Sequence, residues 1–204
     1  MTATKVDYKR ELSTLYTARR DPVVVDVPEL AFLMIDGHGD PNTSDEYAEA
    51  IQGLYGVAYT AKFMVKALGE TDYAVMPLEG LWWTPDMATF STDDKSSWLW
   101  TMMIMQPDVV TADLVEAARA KAAERKPLDA IAKVRLDRYA EGEAAQVMHI
   151  GPYSDEGPTI RRMHEFIAAQ GYELSGKHHE IYLSDPRRTA PAKWRTIVRQ
   201  PFHG

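Results

Sequence analysis

The sequence predicts an α+β fold: tandem strand–helix–strand–strand repeats forming one antiparallel sheet, with helices on one face and a ligand groove at the pseudo-twofold axis. Three observations predict it. An order of strand, helix and two strands occurs twice in 204 residues. The strand-to-helix joints rhyme, Met34-Ile35-Asp36-Gly37-His38-Gly39-Asp40-Pro41 standing against Met148-His149-Ile150-Gly151-Pro152-Tyr153-Ser154-Asp155. Neither half can easily bury both faces of its own elements, so two copies side by side complete the sheet and leave the face opposite the helices concave or open. Residues 1–20 read as an N-terminal arm or short surface helix, 21–127 as the first repeat and 128–204 as the second, within one domain.

The first repeat opens on Val23-Val24-Val25-Asp26-Val27 and Leu30 to Asp36, one strand or two broken at Pro28. Thr43-x-x-Glu46 has the form of a capping box. Tyr47, Ile51, Leu54, Tyr55, Ala58, Val65 and Leu68 then recur at helical spacing, and Gly69 sits where a helix C-terminus favours glycine. Tyr73 to Pro77 and Gly80 to Thr84 read as strands, Phe90 to Ser97 as a polar loop. Trp98 to Met105 is apolar on both faces and reads as a central strand with Trp98, Trp100, Met102 and Ile104 on one side. Thr111 caps a helix that stops before Pro127. In the second repeat, Lys133 to Tyr139 and Ala144 to Ile150 read as strands, and Ile160, Met163, His164 and Ile167 mark a helix ending at Gly171. Residues 178–183 and Lys193 to Val198 read as the last strands, the chain turning out at Pro201.

Cysteine is absent, which excludes a disulfide framework, a thiolate nucleophile and a cysteine-based metal site. No early apolar run resembles a signal peptide and no stretch approaches a membrane span, so a cytoplasmic protein without a membrane partner is expected. A formal net charge of −7 argues against a nucleic-acid footprint. Phosphate-loop glycine motifs are missing, no cofactor is implied, and consecutive His178 and His179 on a strand point apart and cannot share a metal in the usual way. A monomer or homodimer fits equally.

Chemistry concentrates in Gly176-Lys177-His178-His179-Glu180-Ile181-Tyr182-Leu183-Ser184-Asp185-Pro186-Arg187-Arg188. Strand alternation puts His178, Glu180 and Tyr182 on one face and His179, Ile181 and Leu183 on the other, the latter as core packing. A carboxylate between an imidazole and a phenol is either a wet-face charge or a pocket group able to take a proton or recognise a cation. Trp82 and Trp83 must point to opposite faces, so at most one of them joins that pocket; Trp100 is a further candidate wall.

Gly151-Pro152-Tyr153, His179-Glu180-Ile181-Tyr182 and Ser184-Asp185-Pro186-Arg187-Arg188 resemble the GyrI-like (gyrase-inhibitor-like) small-molecule-binding domain, from about Val23 to Pro201. Leu81-Trp82-Trp83 and the His-His-Glu-Ile-Tyr-Leu-Ser-Asp-Pro-Arg run are similar to its stand-alone branch. The resemblance implies a central groove for flat, often cationic aromatic compounds, with a buried glutamate matching Glu180. It also implies, for some stand-alone members, hydrolysis of reactive cyclopropane rings in DNA-alkylating natural products. A glutamate and a tyrosine carry that chemistry, which maps to Glu180 with Tyr153 as first choice and Tyr139 as second. Trp82, Trp83, Trp100, Tyr139, Tyr182 and His178 are the expected substrate contacts. Passive drug binding or sensing, and capture of a protein such as DNA gyrase, are the rival functions; regulator members carry a helix-turn-helix domain for which this chain has no room.

Overall fold

A computed structural model describes residues 3–85 and 95–204. The polar loop expected from Phe90 to Ser97 therefore lies outside the described residues as far as Asp94. The N-terminal segment forms β1 (Thr4–Val6), α1 (Tyr8–Glu11) and α2 (Ser13–Tyr16). β2 (Val23–Val27) and β3 (Leu30–His38) are two strands, interrupted at Pro28 as the missing N–H requires. α3 (Asp45–Ala67) follows, capped by Ser44 rather than Thr43: the Ser44 hydroxyl accepts from Tyr47 N–H. Next come β4 (Thr71–Tyr73), β5 (Leu78–Trp83), β6 (Leu99–Gln106), α4 (Ala112–Arg125) and a short α5 (Asp129–Lys133). The second half contains β7 (Arg135–Tyr139), β8 (Gly142–Ile150), α6 (Gly157–Ala169), β9 (Glu173–Leu174), β10 (His178–Tyr182) and β11 (Arg195–His203). β11 continues through Pro201, β4 leaves the main sheet to pair in parallel with β1, and β9 and α5 were not legible in the apolar pattern.

The repeat is visible in the sheet order β2-β8-β11-β10-β5-β6-β3-β7. The run β8-β11-β10 mirrors β3-β6-β5 about the β10–β5 pair, which marks the pseudo-twofold axis. The leading strands are exchanged: β2 pairs with β8 of the second half, and β7 with β3 of the first. This exchange dictates curvature. β2 and β3 lie six strand intervals apart, roughly 29 Å in a flat sheet, yet Pro28 and Glu29 join them and reach only about 11 Å. Ala140 and Glu141 make the same short joint between β7 and β8. The sheet therefore curls toward itself without closing into a barrel.

The face opposite the helices is the inside of that curl, as expected, but a ligand hollow there is overturned by what fills it. His179 stands between two carboxyls, Nε2 3.0 Å from Glu79 Oε2 and Nδ1 3.0 Å from Glu141 Oε2. Arg199 donates to Glu141 Oε2 (3.1 Å), to Gln146 Oε1 (3.0 Å) and to the carbonyl of Leu15 (2.7 Å). Tyr16 donates to Glu79 Oε1 at 2.7 Å. Thus α2, expected on the surface, is a plug whose Leu15 and Tyr16 are buried, and His179 is an ion-pair partner rather than core filler. Burial opposes the imidazolium, but Glu141 and Glu79 outweigh it and push His179 up to about 9. The sign follows: its contribution to stability is whole below the unfolded histidine value near ~6.5 and is lost as pH rises through about 9. We expect on the order of 3 kcal/mol to be lost on that alkaline limb, read from urea unfolding midpoints across it. A flat alkaline profile would contradict a charged His179.

Candidate functional site

Glu180 lies on the helix-bearing face, so the sequence expectation of a groove on the opposite face is corrected. Register shows why: Glu180 stands opposite Gly80 and Val198, and His178 opposite Trp82, so these side chains share one side. On that side α3 brings Tyr47 over Trp82 and Trp100, ring centroids 6.0 and 5.2 Å away. From the second half, the turn before α6 approaches. Glu180 is 9 % exposed, which excludes a solvated wet-face charge. His178 Nε2 lies 3.2 Å from its Oε1, and Tyr182 Oη donates to its Oε2 at 2.8 Å. Trp82 Nε1 in turn donates to Tyr182 Oη at 3.1 Å. Burial alone would raise the Glu180 carboxyl; the contacts with His178, Tyr182 and Glu156 prevail and hold it below the usual range.

Sequence reasoning missed Glu156. It is 4 % exposed, precedes α6, and its carboxyl meets that of Glu180 beside Thr196. Burial, and then the Glu180 charge, push it far above the ordinary carboxyl range, so it carries a proton at neutral pH. An acid just before Gly157-Pro158 looks like an ordinary helix-start residue, so no local signal distinguished it.

The walls are aromatic and tight. Trp98 packs on Trp82 at 5.4 Å. Trp100 is fully buried against β3, where Gly37 makes room: a Cβ there would lie 2.1 Å from its ring. Gly80 likewise spares space directly opposite Glu180, because a Cβ would come within 2.8 Å of Trp82 Nε1 and 3.1 Å of Met102 Cε. Gly80→Ala is expected to shift the Trp82 indole, break its bond to Tyr182 and destabilise the fold by about 1–3 kcal/mol. Unchanged tryptophan emission and an unchanged urea midpoint would refute this.

The structure thus brings His178, Glu180, Tyr182, Trp82 and Trp100 to one side. Tyr153 joins at the rim: it is 38 % exposed, its ring 5.5 Å from Tyr182 and 4.8 Å from Trp194. Burial pushes its phenol up to about 12. Trp83 and Tyr139 do not join. Trp83 points to the other face, where the Lys177 ammonium sits 3.3 Å from its ring centroid. Tyr139 lies near Glu141 and Arg199 of the inner network. A separate surface cavity of about 480 Å³, bounded by Ala31, Asp108 and Arg138, lies at the β3–β7 edge, with neither an aromatic wall nor a buried carboxylate. Among the described residues no group of three His, Asp or Glu is placed to hold a metal, and no helix is long and apolar enough to cross a membrane.

A buried carboxyl pair thus lies beside aromatic rings near the pseudo-twofold axis. The family model for the GyrI-like small molecule binding domain matches residues 20–202. The chain belongs to the GyrI-like family. Two solved relatives of this GyrI-like protein come from Listeria innocua. One, an uncharacterized conserved protein, is 42% identical, with a TM-score of 0.91 over 97% of this chain and 100% of that one. The other, described as a hydrolase, is also 42% identical, with a TM-score of 0.88 over 98% and 100%. The EcmrR C-terminal domain, 12% identical with a TM-score of 0.60 over 90% and 97%, shares the fold. No functionally curated protein matches the chain.

Proposed function

We propose that this GyrI-like protein captures bulky aromatic, often cationic molecules on its Glu180 face and hydrolyses electrophilic ones, cyclopropane-bearing alkylators among them, as a cytoplasmic detoxifying enzyme. One observation carries the reading: a buried carboxylate, oriented by an imidazole and a phenol, lies under indole and phenol rings. The hydrolase description of a relative 42% identical supports it. Glu180 takes a proton from the attacking water. The ring carbon–carbon bond breaks, and its electron pair runs through the conjugated frame to an oxygen on the far side of the substrate. The proton donor must then stand away from the base. Tyr153 does, one ring beyond Tyr182 at the rim, and a phenol there donates to the developing oxyanion. Trp82 and Tyr47 clamp the flat frame, each good ring pair adding about 0.5–1.5 kcal/mol beyond burial.

The second reading, passive binding, is favoured by the family's small-molecule-binding character. The experiment that separates them is incubation with a cyclopropane-bearing alkylator while following tryptophan quenching and product. Saturable quenching with no ring-opened product would leave only capture; product formation in excess of the protein establishes turnover.

A further inference from the structure

Glu156 has no task in that mechanism. It is buried, it touches Glu180, and its Oε1 has no hydrogen-bond partner. Two carboxyls in contact cannot both ionise readily, so the pair holds one proton between an acid and a base a single hydrogen bond apart. The groups around them have other positions. His178 and Tyr182 of β10 occupy the two Glu180 oxygens. Tyr47 of α3 faces Glu180, Tyr153 of the rim faces Glu156 and Glu180, Thr196 of β11 and Lys95 before β6 face Glu156, and His164 of α6 faces His178. An ionised carboxylate offers about four lone-pair sites. His178, Tyr182 and Glu156 take three on Glu180 and leave one for a water.

An acid and a base this close suit an electrophile whose attacked carbon and departing oxygen are neighbours. The cyclopropane alkylator does not meet that condition, since its negative charge develops across the ring. A three-membered cyclic ether does. We propose that the site also hydrolyses epoxides carried on flat aromatic frames, Glu180 as general base and Glu156 as general acid. The water oxygen bonds to an epoxide carbon as that carbon's bond to oxygen breaks. The water proton goes to Glu180, and the Glu156 proton goes to the alkoxide. The proton gained by Glu180 then passes to Glu156 across their shared hydrogen bond, which restores the pair. One water is consumed and a vicinal diol released, with no covalent intermediate. This inference rests on the reading of the Glu180 face as an electrophile hydrolase.

The full chain is incubated with styrene oxide and phenanthrene 9,10-oxide, and in parallel with a cyclopropane-bearing alkylator. Diol is expected, with its new oxygen drawn from labelled water in the first turnover. Glu156→Gln is expected to slow epoxide opening by about 10²- to 10⁴-fold, and to slow it more than cyclopropane opening, which draws no proton from Glu156. The wild-type epoxide rate falls at alkaline pH as Glu156 loses its proton, and that limb disappears in Glu156→Gln. Glu156→Asp, which keeps the acid, guards against a folding defect and retains part of the rate. Cyclopropane opening without epoxide opening overturns this inference and spares the proposed function, whereas turnover of neither sinks both. Equal epoxide rates in wild type and Glu156→Gln, or first-turnover oxygen taken from the protein, also overturn it.

Discussion

Glu180→Gln is expected to cut turnover of a cyclopropane-bearing alkylator by about 10²- to 10⁴-fold, the usual worth of a positioned general base. Gln is nearly isosteric, so Trp82 and Tyr47 keep their places and neutral aromatic guests bind almost as before. Cationic guests lose a buried partner and weaken by about 2–5 kcal/mol. The two effects separate in one experiment: single-turnover rate reads the base, and quenching titrations with a neutral and a cationic dye read the charge. Equal single-turnover rates would remove Glu180 from the chemistry. The substitution also turns an amide toward two groups that donate to the present carboxylate, Tyr182 Oη and the His178 ring, so a modest loss of stability accompanies it.

The Glu180 face was legible because strand alternation is a local rule. The side shared by His178, Glu180 and Tyr182, and the opposed directions of Trp82 and Trp83, follow from period two alone, and the register bears both out. The duplicated order of elements was legible for the same reason, and the mirrored strand order shows it. What failed were relations no single segment contains. Which sheet face carries the helices relative to Glu180 is decided by α3 packing on Trp82 and α6 on Val147 and Val198, contacts between segments far apart in the chain. Glu156 enters only because the turn before α6 folds over β10, some twenty residues later in the chain. Tyr139, the second choice after Tyr153, lies instead near Glu141 and Arg199 of the inner network, a placement no local pattern contains. His179 looked apolar in role because its partners, Glu79 and Glu141, come from 100 and 38 positions away.

Arg199→Met carries the largest expected effect on stability. The inner network sets two carboxyls, Glu79 and Glu141, against the Arg199 guanidinium and the His179 imidazolium, all out of water. Removing one cation leaves a buried carboxylate short of its partner, at a cost of about 3–5 kcal/mol. It also strands the Leu15 carbonyl and Gln146 Oε1, which Arg199 satisfies now. Against a typical total of about 5–15 kcal/mol, the variant is expected to unfold well below the wild-type urea midpoint, with the α2 plug released first. Amide exchange in residues 13–17 would show that release ahead of global unfolding. Arg187→Met makes the contrast: its ion pair with Asp185 lies at the surface, where such pairs contribute little, and its midpoint should match wild type. If the two variants unfold alike, the inner network is not what holds the curled sheet and its N-terminal plug together. Curvature would then have to come from the two short joints alone, Pro28-Glu29 and Ala140-Glu141.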